Sequence, residues 1–164
     1  MTEDELRQGA RAAMIARGWI GTPYLHQASA QGAGTDCLGL LRGVWRALYG
    51  HEPEAIPAYT PDWSEPAREE RLWLAARRHM IVLSEQAGSA PEAVGEVLLF
   101  RLRDGGVAKH LGIVSRPGSD PAGAAFIHAY GGHAVLESPL SRPWQRRIAA
   151  RFAFPATDLS EGTR

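Results

Sequence analysis

The 164-residue sequence has one cysteine, one lysine and no net charge, with Lys+Arg and Asp+Glu both at 18. A single cysteine excludes an intrachain disulfide framework and a zinc site built on several thiolates. Balanced charge removes the broad electrostatic case for a nucleic-acid or anionic-membrane partner, so a polymeric substrate has to be gripped locally. No apolar run approaches the length of a transmembrane helix, and no membrane insertion is expected. The first residues, MTEDELRQGARAAMIARGW, open on acids and lack the apolar stretch of a secretory signal, so the chain is expected to be made in the cytoplasm. No internal repeat is visible. The scarcity of lysine, with Lys109 alone among the basic residues, reads as genome composition and carries no function.

At 45% hydrophobic content a chain of this length can bury an ordinary core without disulfides or metals. One domain is expected over residues 1–157, with a flexible tail at 158–164. Thr2 followed by Glu5 is a capping box, and it predicts a helix to about Arg17 that stops at Gly18. The run GTPY at 21–24 breaks it, and the small residues of 25–35 predict a loop able to approach a ligand closely. Leu38, Leu41, Trp45 and Leu48 recur at helical spacing, so a second helix is predicted over 36–49 with Gly50 as terminator. Four prolines in 51–66 predict a loop that walls a groove or covers it. A third helix is expected over 65–79 and a short strand over 80–84. Strand candidates follow at 97–102, 107–114, 125–130, 133–137 and 146–154, separated by Gly/Pro turns. Helices first and strands second is the α+β pattern.

The only thiol, Cys37, stands where the glycine-containing loop meets the second helix. A helix N-terminus stabilises an anion, so this position predicts a thiol with a lowered pKa; the alternative is a small hydrophobe filling a helix–loop joint. On a strand, His110, Gly112 and Val114 share one face, and Gly112 leaves room beside the imidazole. His128 follows within AFIHAY, and two antiparallel strands joined through 115–124 would bring both rings to one edge. A base and its orienter would then be adjacent. Half-buried structural histidines, or a Cys/His/His metal site, are the competing readings, although such a trio lacks the close ligand pairs of most zinc motifs.

In order, GTPY, a glycine-rich loop, DC at a helix start, GEVLLF, KHLGIV and FIHA resemble the NlpC/P60 cysteine peptidases, papain-like enzymes that cut cell-wall peptides. The resemblance covers roughly Ala16 to Glu137. It is closest to the phage-tail and gene transfer agent branch, to which GTPYLHQAS and DCLGLLRGVWRALYG are similar. It implies a papain-like α+β fold, with N-terminal helices packed on a small antiparallel sheet of about five to six strands. It also implies Cys37 as nucleophile, His110 as general base and His128 as the polar third member, with no metal and no cofactor. Tyr24 would assist the oxyanion and Asp36 would bind a substrate amine while capping the helix; His26 is a candidate groove contact. Where the family commonly has DCSG and GD, this chain has Asp36-Cys37-Leu38-Gly39 and Gly95-Glu96, which puts a preference for a free substrate N-terminus in doubt. Glu96 is expected to cap or solvate a strand start.

The function implied is an endopeptidase of the peptidoglycan stem, of the γ-D-glutamyl-diaminopimelate type, carried by a phage-like tail and acting in the recipient's periplasm. Expected partners are peptidoglycan peptide and tail hub or baseplate proteins. A silent structural plug of a tail hub, and an acyl or amide transferase using the same thioester, are the alternatives. His51, His79 and His133 read as surface or turn residues, Trp45 and Trp73 as core, and Trp63 as packed on its own loop. Arg142, Arg146, Arg147 and Arg151 read as a solvated strand face that could dock on an acidic partner.

Overall fold

A computed structural model describes residues 1–54 and 70–157. Helix α1 (Glu3–Arg17) begins at the reciprocal Thr2–Glu5 capping box and is closed by Gly18. The predicted loop at 25–35 contains a small antiparallel hairpin, β1 (Ser29–Ala30) and β2 (Gly34–Thr35). Helix α2 (Cys37–Tyr49) starts directly after it and ends at Gly50, whose φ of 86° is the left-handed geometry that glycine tolerates without strain. Its buried stripe differs from the predicted one: Leu38, Leu40, Val44 and Trp45 are buried, whereas Leu41 and Leu48 are only partly covered. The face turns because α2 packs on both α1 and the sheet.

Helix α3 (Arg71–His79) leads into strand β3 (Ile81–Ser84). Residues 65–69 of the expected helix, most of the proline-rich loop with Trp63, and the tail at 158–164 lie outside the described residues. Strands β4 (Val97–Arg101), β5 (Ala108–Arg116), β6 (Ala125–His128), β7 (Leu136–Pro139) and β8 (Ile148–Ala153) follow, with a short helix α4 (Arg142–Arg146) before β8 that the sequence reading missed. His133 belongs to the turn ahead of β7 and not to the strand.

The strands form one antiparallel sheet in the order β3-β8-β4-β5-β6-β7. Period-two alternation sends Val97, Leu99, Leu111, Ile113 and Ile127 toward α1 and α2. It sends Leu98, Phe100, Val114 and Phe126 to the opposite face, where Trp144 and Leu140 cover them. Each fully buried side chain of this size contributes on the order of 2 kcal/mol, so both faces contribute to holding the sheet together. The described residues are therefore α+β, with α1 to α3 ahead of a six-stranded antiparallel sheet and the short α4 inserted before its last strand.

Two charged residues depart from expectation. Glu96, expected to cap or solvate a strand start, caps the turn ahead of β4 by accepting from the backbone N–H groups of Glu92 and Ala93, but is 1% exposed and not solvated. Its other oxygen meets Arg151 Nη1 at 2.5 Å. Arg151 is thus a buried partner, while Arg142, Arg146 and Arg147 stay exposed around α4.

Candidate active site

The first turn of α2 is braced from below. Asp36 is its N-cap, with Oδ1 accepting from Gly39 N–H at 2.7 Å and Oδ2 from Gln27 N–H at 2.8 Å. Gln27 has a φ of 66°, a strained value for a residue with a side chain, held by that bond. Ser29 Oγ donates to Gly39 O at 2.6 Å, and Arg46 Nη2 donates back to Ser29 O at 2.8 Å. Gly39 admits no side chain, because a Cβ there would stand 1.9 Å from Ala28 O. The small-residue loop therefore presses its backbone onto the helix start and fixes the direction in which residue 37 points.

That direction is toward the edge of β5. The β5–β6 ladder is registered at Ile113↔Ile127 and Val114↔Phe126, so β5 extends past the end of β6 at its N-terminal half. Cys37 Sγ sits beside this overhang, 3.8 Å from Lys109 O, with the backbone N–H groups of Leu111, Leu38 and Cys37 directed at the sulfur. These donors favour a thiolate, but burial acts more strongly and Asp36 adds a like charge. The thiol is pushed up to about 12, the reverse of the depressed value expected from a helix N-terminus alone. The helix end contributes a few aligned dipoles, whereas desolvation opposes the whole charge.

The histidines come together on the face opposite the helices. His110 Nε2 and His128 Nδ1 are 2.8 Å apart, and His128 Nε2 lies 2.8 Å from Ser138 Oγ. Both rings are almost fully buried, at 4% and 2% exposure. Burial, with the neighbouring ring's charge second, pulls His110 down to about 3; burial and then His133 pull His128 down to about 4. Both are therefore neutral near pH 7. Trp144 packs within 5.1–5.7 Å of Phe100, His110, Phe126, His128 and Tyr130, a wall that excludes water from the pair. Gly112 is required here, since a Cβ would meet Phe126 at 2.6 Å and the His128 Cβ at 3.3 Å.

Cys37 and His110 open onto one cleft of about 350 Å³, lined also by Tyr24, His26, Asp36 and Tyr130. Tyr24 bridges to Thr35 beside the cleft, and its phenol is pushed up by burial and by Cys37 and Asp36. His26 is part-exposed, with Nδ1 3.8 Å from Asp36 Oδ2. Five of the six residues predicted for the site thus line one cleft, and the sixth, His128, stands behind His110. His51, His79 and His133 do not line this cleft: His79 pairs with Glu54, and His133 stacks on Tyr130 from outside the lining. Among the described residues no group of three His, Cys, Asp or Glu side chains is placed to hold a metal ion. Nor is any helix among them long and apolar enough to cross a membrane.

Ser138, Trp144 and Tyr130 were not singled out from the sequence. Tyr130 was within reach, two residues beyond His128 and just past the end of β6. Ser138 and Trp144 carry no motif, and only the β6–β7 register and the placement of α4 bring them to the histidines.

A thiol on a helix N-terminus thus faces strand β5 of an antiparallel sheet that carries two hydrogen-bonded histidines. No family model and no curated protein matches the sequence. Solved structures share the fold. The NlpC/p60 domain of the peptidoglycan hydrolase SagA is 22% identical over 90% of this chain and 97% of its own, with a TM-score of 0.51. A lipoprotein-like NLP/P60 family protein from Staphylococcus aureus subsp. aureus Mu50 is 18% identical over 91% of this chain, with a TM-score of 0.54. The protein Ly7917 is 15% identical over 90% of this chain, also with a TM-score of 0.54. This chain spans 42% and 62% of the latter two. The architecture is that of NlpC/P60 domains.

Proposed function

We propose that this chain is a cysteine peptidase that hydrolyses cell-wall peptide, with Cys37 as nucleophile, His110 as general base and His128 as the residue that orients it. The observation that carries the reading is the shared cleft: the sole thiol opens into it beside a histidine whose far nitrogen is already bound to a second buried histidine. A structural cysteine has no need of that arrangement.

The resting pair is neutral, so attack and proton transfer go together. His110 Nδ1 takes the Cys37 proton as sulfur bonds to the substrate carbonyl carbon and the C=O electron pair moves onto oxygen. The backbone N–H of Cys37 receives that oxyanion, with the Tyr24 hydroxyl as second donor, a contribution on the order of 3 kcal/mol. Collapse breaks the C–N bond, and the amine leaves with the proton held by His110. Water, deprotonated by His110, then attacks the thioester, releasing the acid and restoring the thiol. His128 holds the ring in place throughout.

Peptidoglycan as substrate is supported by the fold shared with SagA, named a peptidoglycan hydrolase. The finer assignment is the γ-D-glutamyl-diaminopimelate bond, with delivery by a phage-like tail or gene transfer agent. Its support is the similarity of GTPYLHQAS and DCLGLLRGVWRALYG to that branch. Asp36 Oδ1 and Oδ2 each accept one backbone N–H and keep an acceptor site for a substrate amine, while Leu38 stands where the family commonly has a serine hydroxyl, so a preference for a free N-terminus is not carried by this cleft.

The test is release of peptides from purified peptidoglycan, read by mass spectrometry, for wild type beside Cys37→Ala and His110→Ala. Defined fragments from wild type alone are expected, and their masses name the bond. Equal release by all three proteins would remove the assignment of these residues, and no release by any would favour a structural plug.

A further inference from the structure

Behind the two histidines the polar chain continues to a hydroxyl. In the β6–β7 ladder His128 faces Leu136 and Phe126 faces Ser138, so Ser138 lies one pleat along on the histidine side of the sheet. Its Oγ is 2.8 Å from His128 Nε2, and His128 Nδ1 is 2.8 Å from His110 Nε2. Each of these contacts holds one proton. Two arrangements are therefore open to a neutral pair.

In the first, His110 Nε2–H donates to His128 Nδ1 and His128 Nε2–H donates to Ser138 Oγ. His110 Nδ1 then carries a lone pair and can take a proton from the thiol. In the second every proton is shifted the other way: Ser138 donates to His128 Nε2, His128 Nδ1–H donates to His110 Nε2, and His110 Nδ1 holds the remaining proton. A base protonated at its working nitrogen does nothing. The first arrangement needs an acceptor at position 138, because His128 is 2% exposed and its Nε2–H would otherwise be left without a partner.

We propose that Ser138 is a positioning residue: by accepting from His128 Nε2–H it makes the first arrangement possible, the one in which His110 presents an unprotonated Nδ1 to Cys37. The proposal rests on the cysteine-peptidase reading for its consequence, but the tautomers exist whether or not the chain cuts peptide. Trp144 supports it by closing the aromatic wall over both rings, which leaves Ser138 as the bonded partner of His128 Nε2. The hydrogen-bonded series His110, His128, Ser138 thus runs from the cleft that Cys37 shares to the edge strand β7.

The test compares wild type with Ser138→Ala and Ser138→Thr in two measurements. Two-bond 15N–1H correlation spectra of the free protein report which nitrogen of each ring is protonated. Wild type and Ser138→Thr are expected to show His110 protonated at Nε2, and Ser138→Ala to show protonation shifted toward Nδ1. In the peptidoglycan assay, Ser138→Ala is expected to lower kcat about tenfold with KM unchanged, the size of one hydrogen bond's net worth, and Ser138→Thr to recover it to within about twofold. Wild-type tautomers in Ser138→Ala, or equal kcat in the Ala and Thr variants, would overturn the proposal. A wild-type chain that cuts nothing while its tautomers follow residue 138 would sink the peptidase reading and leave this one standing.

Discussion

Lowering the pH from 7 to 5 should strip this protein of a large share of its stability, and the loss should come from two residues. His110 and His128 are held near 3 and near 4 in the folded chain against an ordinary 6.5. A lowered histidine value means that the unfolded chain binds more protons than the folded one between the two values. The stability these rings allow is therefore complete above 6.5 and falls as pH drops toward the folded values. At pH 5 each ring is almost wholly protonated in the unfolded chain and almost wholly neutral in the folded one, a difference of about 2 kcal/mol apiece. Together they predict a loss of about 3 to 4 kcal/mol between pH 7 and pH 5, against a total of about 5–15 kcal/mol for a typical domain. Glu52, Glu54, Glu85 and Glu137 are lowered from 4.5 by their arginine and other donor partners, so their contribution is lost mainly below this interval. Urea unfolding at pH 7, 6 and 5 measures the slope, and His128→Asn should roughly halve it. A wild-type stability that changes by less than about 1 kcal/mol across this range would refute the burial argument for both rings.

The same burial acts on the thiol in the opposite direction of pH. With Cys37 pushed up to about 12, iodoacetamide should label the folded protein at pH 7.5 at least about a hundredfold more slowly than it labels the urea-unfolded chain; labelling faster than in the unfolded chain would show a thiolate–imidazolium pair at rest. The Arg151–Glu96 pair, 7% and 1% exposed at the side chains, should cost about 3 to 5 kcal/mol when broken by Glu96→Gln, read by thermal or urea unfolding; a loss under about 1 kcal/mol would show that the pair is not desolvated. Asp36→Ala removes both the α2 cap and the bond that holds Gln27 at positive φ. It should cost about 2 kcal/mol or more and raise the labelling rate of Cys37 in the folded protein, and an unchanged rate would mean that the cap does not aim the thiol.

Much of the local structure was legible because the signals are local. Thr2 and Glu5 make their reciprocal bonds within one turn, and Gly50 ends a helix by its own conformational freedom, so no distant residue is needed to read either. The short apolar runs in 97–102 and 107–114, bounded by Gly and Pro turns, mark strands for the same reason. The buried face of α2 was shifted relative to the periodic count because small residues, Gly39 and Gly43, carry the closest contacts and register on no hydrophobic pattern; Gly43 lies under the Trp19 ring. Helix α4 was missed because five residues with a proline at the start give no periodicity.

For the site, the sequence by itself determined which side chains could come together: one thiol at a helix start, and two histidines on strands whose connection is short enough to make them neighbours. It could not determine their proton states. A thiol beside helix dipoles reads as acidic until the sheet is folded against it, and only then do burial and Asp36 outweigh the three N–H groups aimed at the sulfur. Nor could it place Ser138 and Trp144, which lie 10 and 16 residues beyond His128 in the chain and reach it through the β6–β7 register and the turn into α4. Chemical identity is a property of each residue and is written in the chain. Desolvation and partner choice depend on what the rest of the chain packs around that residue, and only the tertiary structure decided those.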